Sequence, residues 1–462
     1  VVTVPSGRPP AARRAIAGLL AATALLASAA LAAPAASAAT APVQVGLFGT
    51  ADPTYDGVFR QSLALLAFAA ADQAPPEESV TWLLDQQCAD GGFQAFREDT
   101  TTPCTKSDPA NFVGEDSNST ALASAALTVL GELDAADGAL AWLEGAQNSD
   151  GGFPYFLGGT SDVNSTAIAL LATNAVGLTP SQVTSGGVSA ADYLVGLQVG
   201  CPGVPTNEDG GFAYADFSAG TANDSATVQA ALAITGAALP FVADAPSLDI
   251  PRADCPAPTV TPTAPAVAGA AAPAAALPVT PAELAGGYIA RTLETYGNAI
   301  PQLDFSTGER KPGTVSAGDT AWAVLALSAI GVGGTQRDAA LAVLLDEVGT
   351  APAAKAAAQA VSDEAPGLLS LAALAVVSAD GKQATAAGLV ARVGATMRTA
   401  PASVTPTPSP TTGTPTPSGT SDGGLAPSGA SPLTPGLAGA GALLLLLGSA
   451  ALGLTRRQGS HS

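Results

Sequence analysis

The chain has 462 residues, a net charge of -21, a sequence pI near 4.1 and a mean hydropathy of +0.32. Residues 39–250 carry 25 acidic against 3 basic side chains, whereas 281–400 carry 11 against 8. Nucleic acid is excluded as a partner, because phosphate binding needs a basic surface, and acidity of this kind keeps an Ala-rich domain soluble or attracts cations.

Residues 1–38 read as a secretory signal peptide. Arg8, Arg13 and Arg14 precede an apolar run from Ile16 to Ala32, and Ala36-Ser37-Ala38 is a small-residue cleavage site. The mature chain is expected to be secreted and to start near Ala39. Exported cysteines pair in an oxidising compartment, so Cys88, Cys104, Cys201 and Cys255 predict two disulfides. Three pairings are open. Cys88–Cys104 and Cys201–Cys255 are favoured, because each closes a loop beside a turn described next.

The first half of the chain repeats itself. Trp82-Leu-Leu-Asp-Gln-Gln-Cys-Ala-Asp-Gly-Gly-Phe93 returns as Trp142-Leu-Glu-Gly-Ala-Gln-Asn-Ser-Asp-Gly-Gly-Phe153. Tyr193-Leu-Val-Gly-Leu-Gln198 with Glu208-Asp-Gly-Gly-Phe212 makes a third copy. Gly91, Gly151 and Gly210 stand 60 and 59 residues apart. Apolar residues at helical spacing run into each motif, and Asp-Gly-Gly then ends the helix, Gly supplying left-handed backbone. Phe93, Phe153 and Phe212 are expected to fold back onto the core, leaving Gly92, Gly152 and Gly211 in the turns. A second block follows each motif: Asn118-Ser-Thr-Ala, Asn164-Ser-Thr-Ala and Asp224-Ser-Ala-Thr. Asn164 or Ser165 is expected to cap the next helix, and that reading displaces the sequons Asn118-Ser-Thr and Asn164-Ser-Thr as glycosylation sites.

Residues 256–280 are a Pro/Ala-rich insertion, after which helical patterning resumes. Twelve helices are predicted: 57–71, 77–88, 118–131, 134–147, 164–176, 188–199, 223–238, 282–297, 318–331, 336–349, 366–378 and 382–398. Six alternating pairs can close into a ring. Residues 401–424 are a Pro/Thr-rich stalk of about 75 Å if fully extended. Leu425-Ala426-Pro427-Ser428-Gly429 follows, then an apolar run over 437–454, about 27 Å as a helix and long enough to span a bilayer. Arg456 and Arg457 would hold its end in the cytoplasm.

These residues carry two resemblances. Gln87-x-x-Asp90-Gly91-Gly92-Phe93, Gln147-x-x-Asp150-Gly151-Gly152-Phe153 and Asp209-Gly210-Gly211-Phe212 resemble the prenyltransferase and squalene-oxidase repeat of terpene cyclases and protein prenyltransferases. That resemblance implies an all-α chain folded as an α/α toroid over 42–400. The C-terminal segment resembles a sortase sorting signal of the Leu-Ala-x-Thr-Gly type, with Ser428 where Thr is expected. It implies a sortase and a cell-wall peptide as partners, with transfer at Ser428–Gly429, or else a plain membrane anchor. Either way the domain sits at the cell surface.

The catalytic branches of the repeat family do not fit. The Asp-x-Asp-Asp acid of terpene cyclases is absent, and so is the Gly-Cys-Gly-Glu-Gln thioester motif. The single histidine, His461, lies outside the domain, so no prenyltransferase zinc set, Ser-His-Asp triad or Cys-His dyad can be assembled there. No cofactor or metal is expected. Carboxylate pairs among Asp90, Asp150, Glu208, Asp209, Glu115 and Asp116 leave glycosidase- or lyase-like chemistry open, against the preferred reading of turn formers. A calcium site at Glu115–Asp116 lacks EF-hand spacing. Tyr155, Phe156, Tyr214 and Phe217 follow their motifs in rim loops and are the candidate ligand surface, with rim packing as the competitor. Trp82, Trp142 and Trp322 read as core. The sequence thus points to a non-catalytic, surface-anchored protein that binds a small-molecule or lipidic ligand. The rivals are a divergent cyclase-like or carbohydrate-active enzyme and a purely structural surface head.

Overall fold

The computed structural model describes residues 44–200, 208–218, 220–243, 279–304, 309–349 and 365–400. The signal peptide, the insertion up to residue 278, the stalk, Leu425–Gly429, the 437–454 span, Cys201 and Cys255 lie outside the described residues. Among the described residues no helix is long and apolar enough to cross a membrane.

The fold is mostly helical, with twelve α-helices among the described residues. They are α1 (Gly57–Ala70), α2 (Glu77–Asp85), α3 (Ser117–Leu130), α4 (Leu133–Ala146), α5 (Val163–Ala175) and α6 (Ala190–Gly196), then α7 (Asp224–Ala233), α8 (Pro281–Thr295), α9 (Ala317–Ile330), α10 (Gly334–Glu347), α11 (Pro366–Asp380) and α12 (Gln383–Ala395). Two antiparallel hairpins accompany them, β1 (Phe153–Pro154) with β2 (Ser161–Asp162) and β3 (Thr184–Ser185) with β4 (Val188–Ser189). Each helix overlaps a predicted one. α2 stops short of residue 88 because Gln86 and Cys88 bond to the following loop, through Arg97 and Gly92. α6 starts late because β4 occupies Val188–Ser189, and Ser189 with Asp192 then forms a capping box.

The two kinds of helix differ in burial. α3 is buried without interruption from Ser117 to Leu127, and α5 from Val163 to Asn174. α4 buries only Ala136, Ala139, Trp142, Leu143 and Ala146, one helical stripe. Helix contacts follow the same division. α1 packs on α3, α3 on α5, α5 on α7, α7 on α9, α9 on α11, and α11 returns to α1. Each even-numbered helix packs against the odd-numbered helix before it, and α12 also touches α1. The odd helices are buried on nearly every side, polar first turns included, because other helices and loops surround them. Their Ala and Leu content suits such crowding, since side chains that are small or not branched at Cβ fill tight helix–helix space at little entropic cost.

One bonding pattern joins each loop to its helices. The amides of Phe93, Phe153 and Phe212 donate to the hydroxyls of Thr120, Thr166 and Thr227, at 2.9, 2.9 and 2.8 Å. The glycine two residues earlier is left-handed, with φ of +96, +87 and +89° at Gly91, Gly151 and Gly210. A Cβ on these glycines would lie 2.1, 2.5 and 2.2 Å from the carbonyl oxygens of Gly138, Ser189 and Leu284 in the next even helix or its cap. Both constraints require glycine. The motif glutamine closes the bracket. Gln87 donates to the carbonyls of Gly91 and Ala135, Gln147 to Gly151 and Val183, and Gln198 to Gly210 and Pro281. Asp150 accepts from the Gly152 amide and the Ser161 hydroxyl, as a turn former does.

The same pattern continues without the motif. The Ile300 amide donates to Thr320 at 3.0 Å, and Asn298 takes the left-handed position at φ +65°. The Phe48 amide donates to Gln61 Oε1 at 2.9 Å, and Gly46 has φ +91°. Gly46–Gly49 also pairs with Thr396–Arg398, through Gly46 to Arg398, Arg398 to Leu47 and Gly49 to Thr396. The start of the described chain thereby supplies the aromatic anchor that follows α12.

Replacing Thr166 with Val keeps the shape and strands the Phe153 amide. Urea unfolding of this variant is expected to show a loss of about 1–3 kcal/mol. Gly151→Ala should lose more than Gly158→Ala, since Gly158 is also left-handed but has open space around it. Equal losses would show that the carbonyl approach does not constrain Gly151.

Candidate functional site

Many of the buried polar side chains lie in the caps and first turns of the odd-numbered helices. Asp116 and Asp162 adopt extended backbone and cap α3 and α5, their Oδ1 atoms accepting from Ser119 N at 2.7 Å and Ser165 N at 2.8 Å. Asn223 caps α7 through Ala226 N. The expectation that Asn164 or Ser165 would cap is therefore corrected. The cap lies two or three residues earlier, where the extended residue leaving the turn can aim its carboxylate back at the third helical amide. Asn118 and Asn164 are inside the first turn and buried.

Burial pushes the carboxyl of Asp116 up to about 7 and that of Asp162 to about 6, against the lowering effect of the Ser119 and Ser165 bonds. Asp319, at the start of α9, is raised for the same reason, while Ser316 and Ser225 donate to it.

The loops after the motifs roof these helix starts. The carbonyl of Tyr155 accepts from Ser117 N and that of Tyr214 from Val163 N, each at 2.9 Å, so each loop covers the start of the previous odd helix. Ala95 does the same for Val58. Tyr155 and Tyr214 are half-buried. Their phenols are held above the ordinary range by burial first, then by Asp162, with Asp116 also acting on Tyr155. Phe156 is buried, edge-on to Tyr155 at 4.7 Å and to Phe112 at 6.1 Å. The exposed apolar groups at this rim are Phe112, Val113 and Leu157, which the sequence reading missed. Phe112 stands out at φ +53° on a tight loop tied by Asp108 to Ala110 and Asn111. Phe217 belongs to a short 3-10 turn, Asp216–Ser218, and its side chain lies outside the description.

A second polar group spans α7, α8 and the loop before α9. Asp224 accepts from Tyr288 OH at 2.6 Å and from Arg310 at 2.7 and 2.9 Å, and Glu208 lies 3.6 Å from Arg310. Burial pulls the Arg310 guanidinium down, but its bonds and charge interaction with Asp224 outweigh this and hold it up. Tyr288 packs on Gly211 as Trp142 packs on Gly92 and Tyr193 on Gly152, a correspondence visible only once the loops are placed.

The remaining candidates have structural partners. Lys106 bridges Asp90 and Glu115. Cys88 and Cys104 form the expected disulfide. Glu115 lies near both sulfurs, and with these joined the group offers no thiolate to a metal. Asp209 is buried, and its carbonyl accepts from Arg291. A hollow of about 430 Å³ is lined by Val45, Glu77, Glu78, Thr81, Trp82 and Asp85. Another of about 460 Å³ lies between Asn148–Asp150, Gly159–Ser161, Ala215 and Asp216. Neither is lined by an odd-numbered helix.

No protein-family model matches the chain, and no curated protein matches it. A crystal structure of a protein from Actinoplanes is similar to it at a TM-score of 0.38 and 15% sequence identity, over 71% of this chain and 90% of that one.

Asp116 has a folded pKa above its unfolded value, so its contribution to stability is complete below about 3.8 and is lost as pH rises through about 7. Asp116→Asn keeps a capping oxygen but does not titrate. Between pH 5 and 8 its unfolding free energy is expected to gain on the parent by on the order of 2 kcal/mol. Asp162, Tyr155 and Tyr214 titrate in both proteins, so the difference isolates Asp116. A pH-independent difference would refute the raised pKa.

Proposed function

We propose that the chain is a secreted, surface-anchored and non-catalytic protein, built as an α/α toroid of prenyltransferase/squalene-oxidase-type repeats. It binds a small-molecule or lipidic ligand over the end of the ring where α3 and α5 begin. The toroid reading is supported by the closed cycle of odd-helix contacts, with an even helix against each. The repeat reading is supported by the shared bonding of Phe48, Phe93, Phe153, Phe212 and Ile300. Export and anchoring rest on the signal-peptide pattern, the stalk and the Leu425–Gly429 segment.

The observation that carries the non-catalytic reading is the use of the motif itself. Its glutamines bracket turns, its glycines seat against helices, and its aspartates close turns or pair with Lys106. The carboxyls with raised pKa cap helices, and their bonds run to their own first turns. The odd helices fill the middle with Leu122, Ile168, Trp322 and their neighbours, which favours a ligand over the end of the ring and not through it. The exposed Phe112, Val113 and Leu157, beside Tyr155, give that end an apolar lip.

The full chain, exported from a sortase-bearing host and released by wall digestion, is the material for the test. Native mass spectrometry is expected to find a bound small molecule, depleted in Phe112→Ser. A parent protein with no bound mass, before or after exposure to a lipid extract of the host, would refute the binding role. In the same sample, Ser428 joined to a wall peptide would establish sortase transfer, and an intact C-terminus would assign a membrane anchor instead.

A further inference from the structure

The odd helices can be placed in register by the side chain that bonds the loop or, at the helix start, the carbonyl four residues before it: Gln61, Thr120, Thr166, Thr227, Thr320 and Ser370. Two residues before these stand Phe59, Asn118, Asn164, Ser225, Gly318 and Leu368. Taken around the cycle of helix contacts, this layer divides in half. α3, α5 and α7 contribute Asn, Asn and Ser, while α9, α11 and α1 contribute Gly, Leu and Phe. The asymmetry has no counterpart in the layer of bonding side chains, which is polar at all six positions.

The polar half is incomplete. Asn118 and Asn164 are 3% and 1% exposed, and the Oδ1 atom of each has no hydrogen-bond partner. Asp116 is 1% exposed, and its Oδ2 likewise has none. The Asn164 amide nitrogen is committed to Gln229 on α7 at 3.0 Å, so its carbonyl prong diverges from α7. Three buried acceptors on two adjacent helices thus lack a donor. Buried acceptors in native proteins are paired as a rule.

We propose that this end of α3 and α5 takes the ammonium group of an amphiphilic primary amine. Its three N–H donors answer the oxygens of Asp116, Asn118 and Asn164, and its apolar body lies across Phe59 and Leu368. The inference rests on the reading of a ligand over this end of the ring and names its chemical class.

Donor count selects the ammonium over other heads. Asp116, Asp162 and Asp319 all belong to these helix starts, and a cation bound there would favour the ionised form of their carboxyls. The cations nearby are engaged: Arg310 holds Asp224, and Arg60 holds Asp56 and the Ala51 carbonyl. A carboxylate or phosphate head would set acceptors against acceptors, whereas an alkylammonium has three donors and no acceptor. The positive ends of the α3 and α5 dipoles oppose a cation, but cap carboxyls already accept from their leading amides. Access is asymmetric too. Tyr155 and Tyr214 roof the α3 and α5 positions, while Phe59, Ser225, Gly318 and Leu368 are part-exposed, so the layer is more open at α7, α9, α11 and α1.

The test is calorimetric titration of the full-length protein with decylammonium, decanol and decanoate, each below its aggregation threshold. Decylammonium is expected to bind once per chain, decanol at least tenfold more weakly, and decanoate not at all. Asn118→Leu and Asn164→Leu should each weaken decylammonium at least tenfold. Asn118→Leu should melt at or above the parent temperature, since it removes an unpaired buried oxygen, whereas Asn164→Leu also loses the bond to Gln229 and should melt lower than Asn118→Leu. Phe59→Ala is the second probe, and should weaken decylammonium and decanol alike. If the three amphiphiles bind equally, or both Leu variants leave decylammonium unchanged, the ammonium site is refuted while a ligand at the ring end stands. If no amphiphile binds and native mass spectrometry finds no bound molecule, both readings fall.

Discussion

The structure depends on one recurring hydrogen bond, from the amide at the end of each turn to a side-chain oxygen one turn into an odd helix. A loop pressed between helices has buried amides that water cannot reach, and an unpaired one costs about 1–3 kcal/mol. At Phe93, Phe153 and Phe212 the hydroxyl of Thr120, Thr166 or Thr227 satisfies that amide, and the same hydroxyl donates to the carbonyl of the helix cap. The bond fixes the loop on the odd-numbered helix. The left-handed glycine then lets the loop touch the next even-numbered helix, and the glutamine ties that helix to the turn.

Because the bond needs only a donor in the right place, the residues around it can drift. Ile300 replaces the phenylalanine, Asn298 the first glycine and Gln61 the threonine, while the geometry persists. This explains why the repeat is plain over residues 80–235 and faint afterwards. The two ends of the domain meet through the same device. Gly46–Gly49 lies against Thr396–Arg398 and delivers Phe48 to the position that follows α12. A unit made from both ends of a chain has no contiguous signature.

The candidate site was only partly legible. The turn-forming role of Asp150 and the Cys88–Cys104 pairing were readable, since both are local. Asn118 and Asn164 were misread as possible caps because Asn is a good capping residue and starts the repeated block. The aspartates before them cap instead, which leaves the amide side chains buried inside the first turn. Phe156, which the sequence left between ligand surface and rim packing, is buried, and the exposed Phe112 was overlooked because its loop has no repeat to flag it. The link among Asp224, Tyr288 and Arg310 joins residues up to 86 apart in sequence, beyond the reach of any local pattern.

By itself the sequence determined the twelve helices and the turns between them, because helical period, capping chemistry and the backbone freedom of glycine act within a few residues. Apolar length and flanking charge also carry the expectation of export and anchoring for the segments at either end. Only the tertiary structure decided which helices are surrounded and which face solvent, how Gly46–Gly49 meets Thr396–Arg398, and which carboxyls are buried deeply enough to hold a proton near neutrality. Those outcomes depend on burial and on contacts between distant residues. The desolvation that raises Asp116 and leaves Asn118 and Asn164 with unpaired oxygens arises when the neighbouring helices and the Tyr155 and Tyr214 loops close over them.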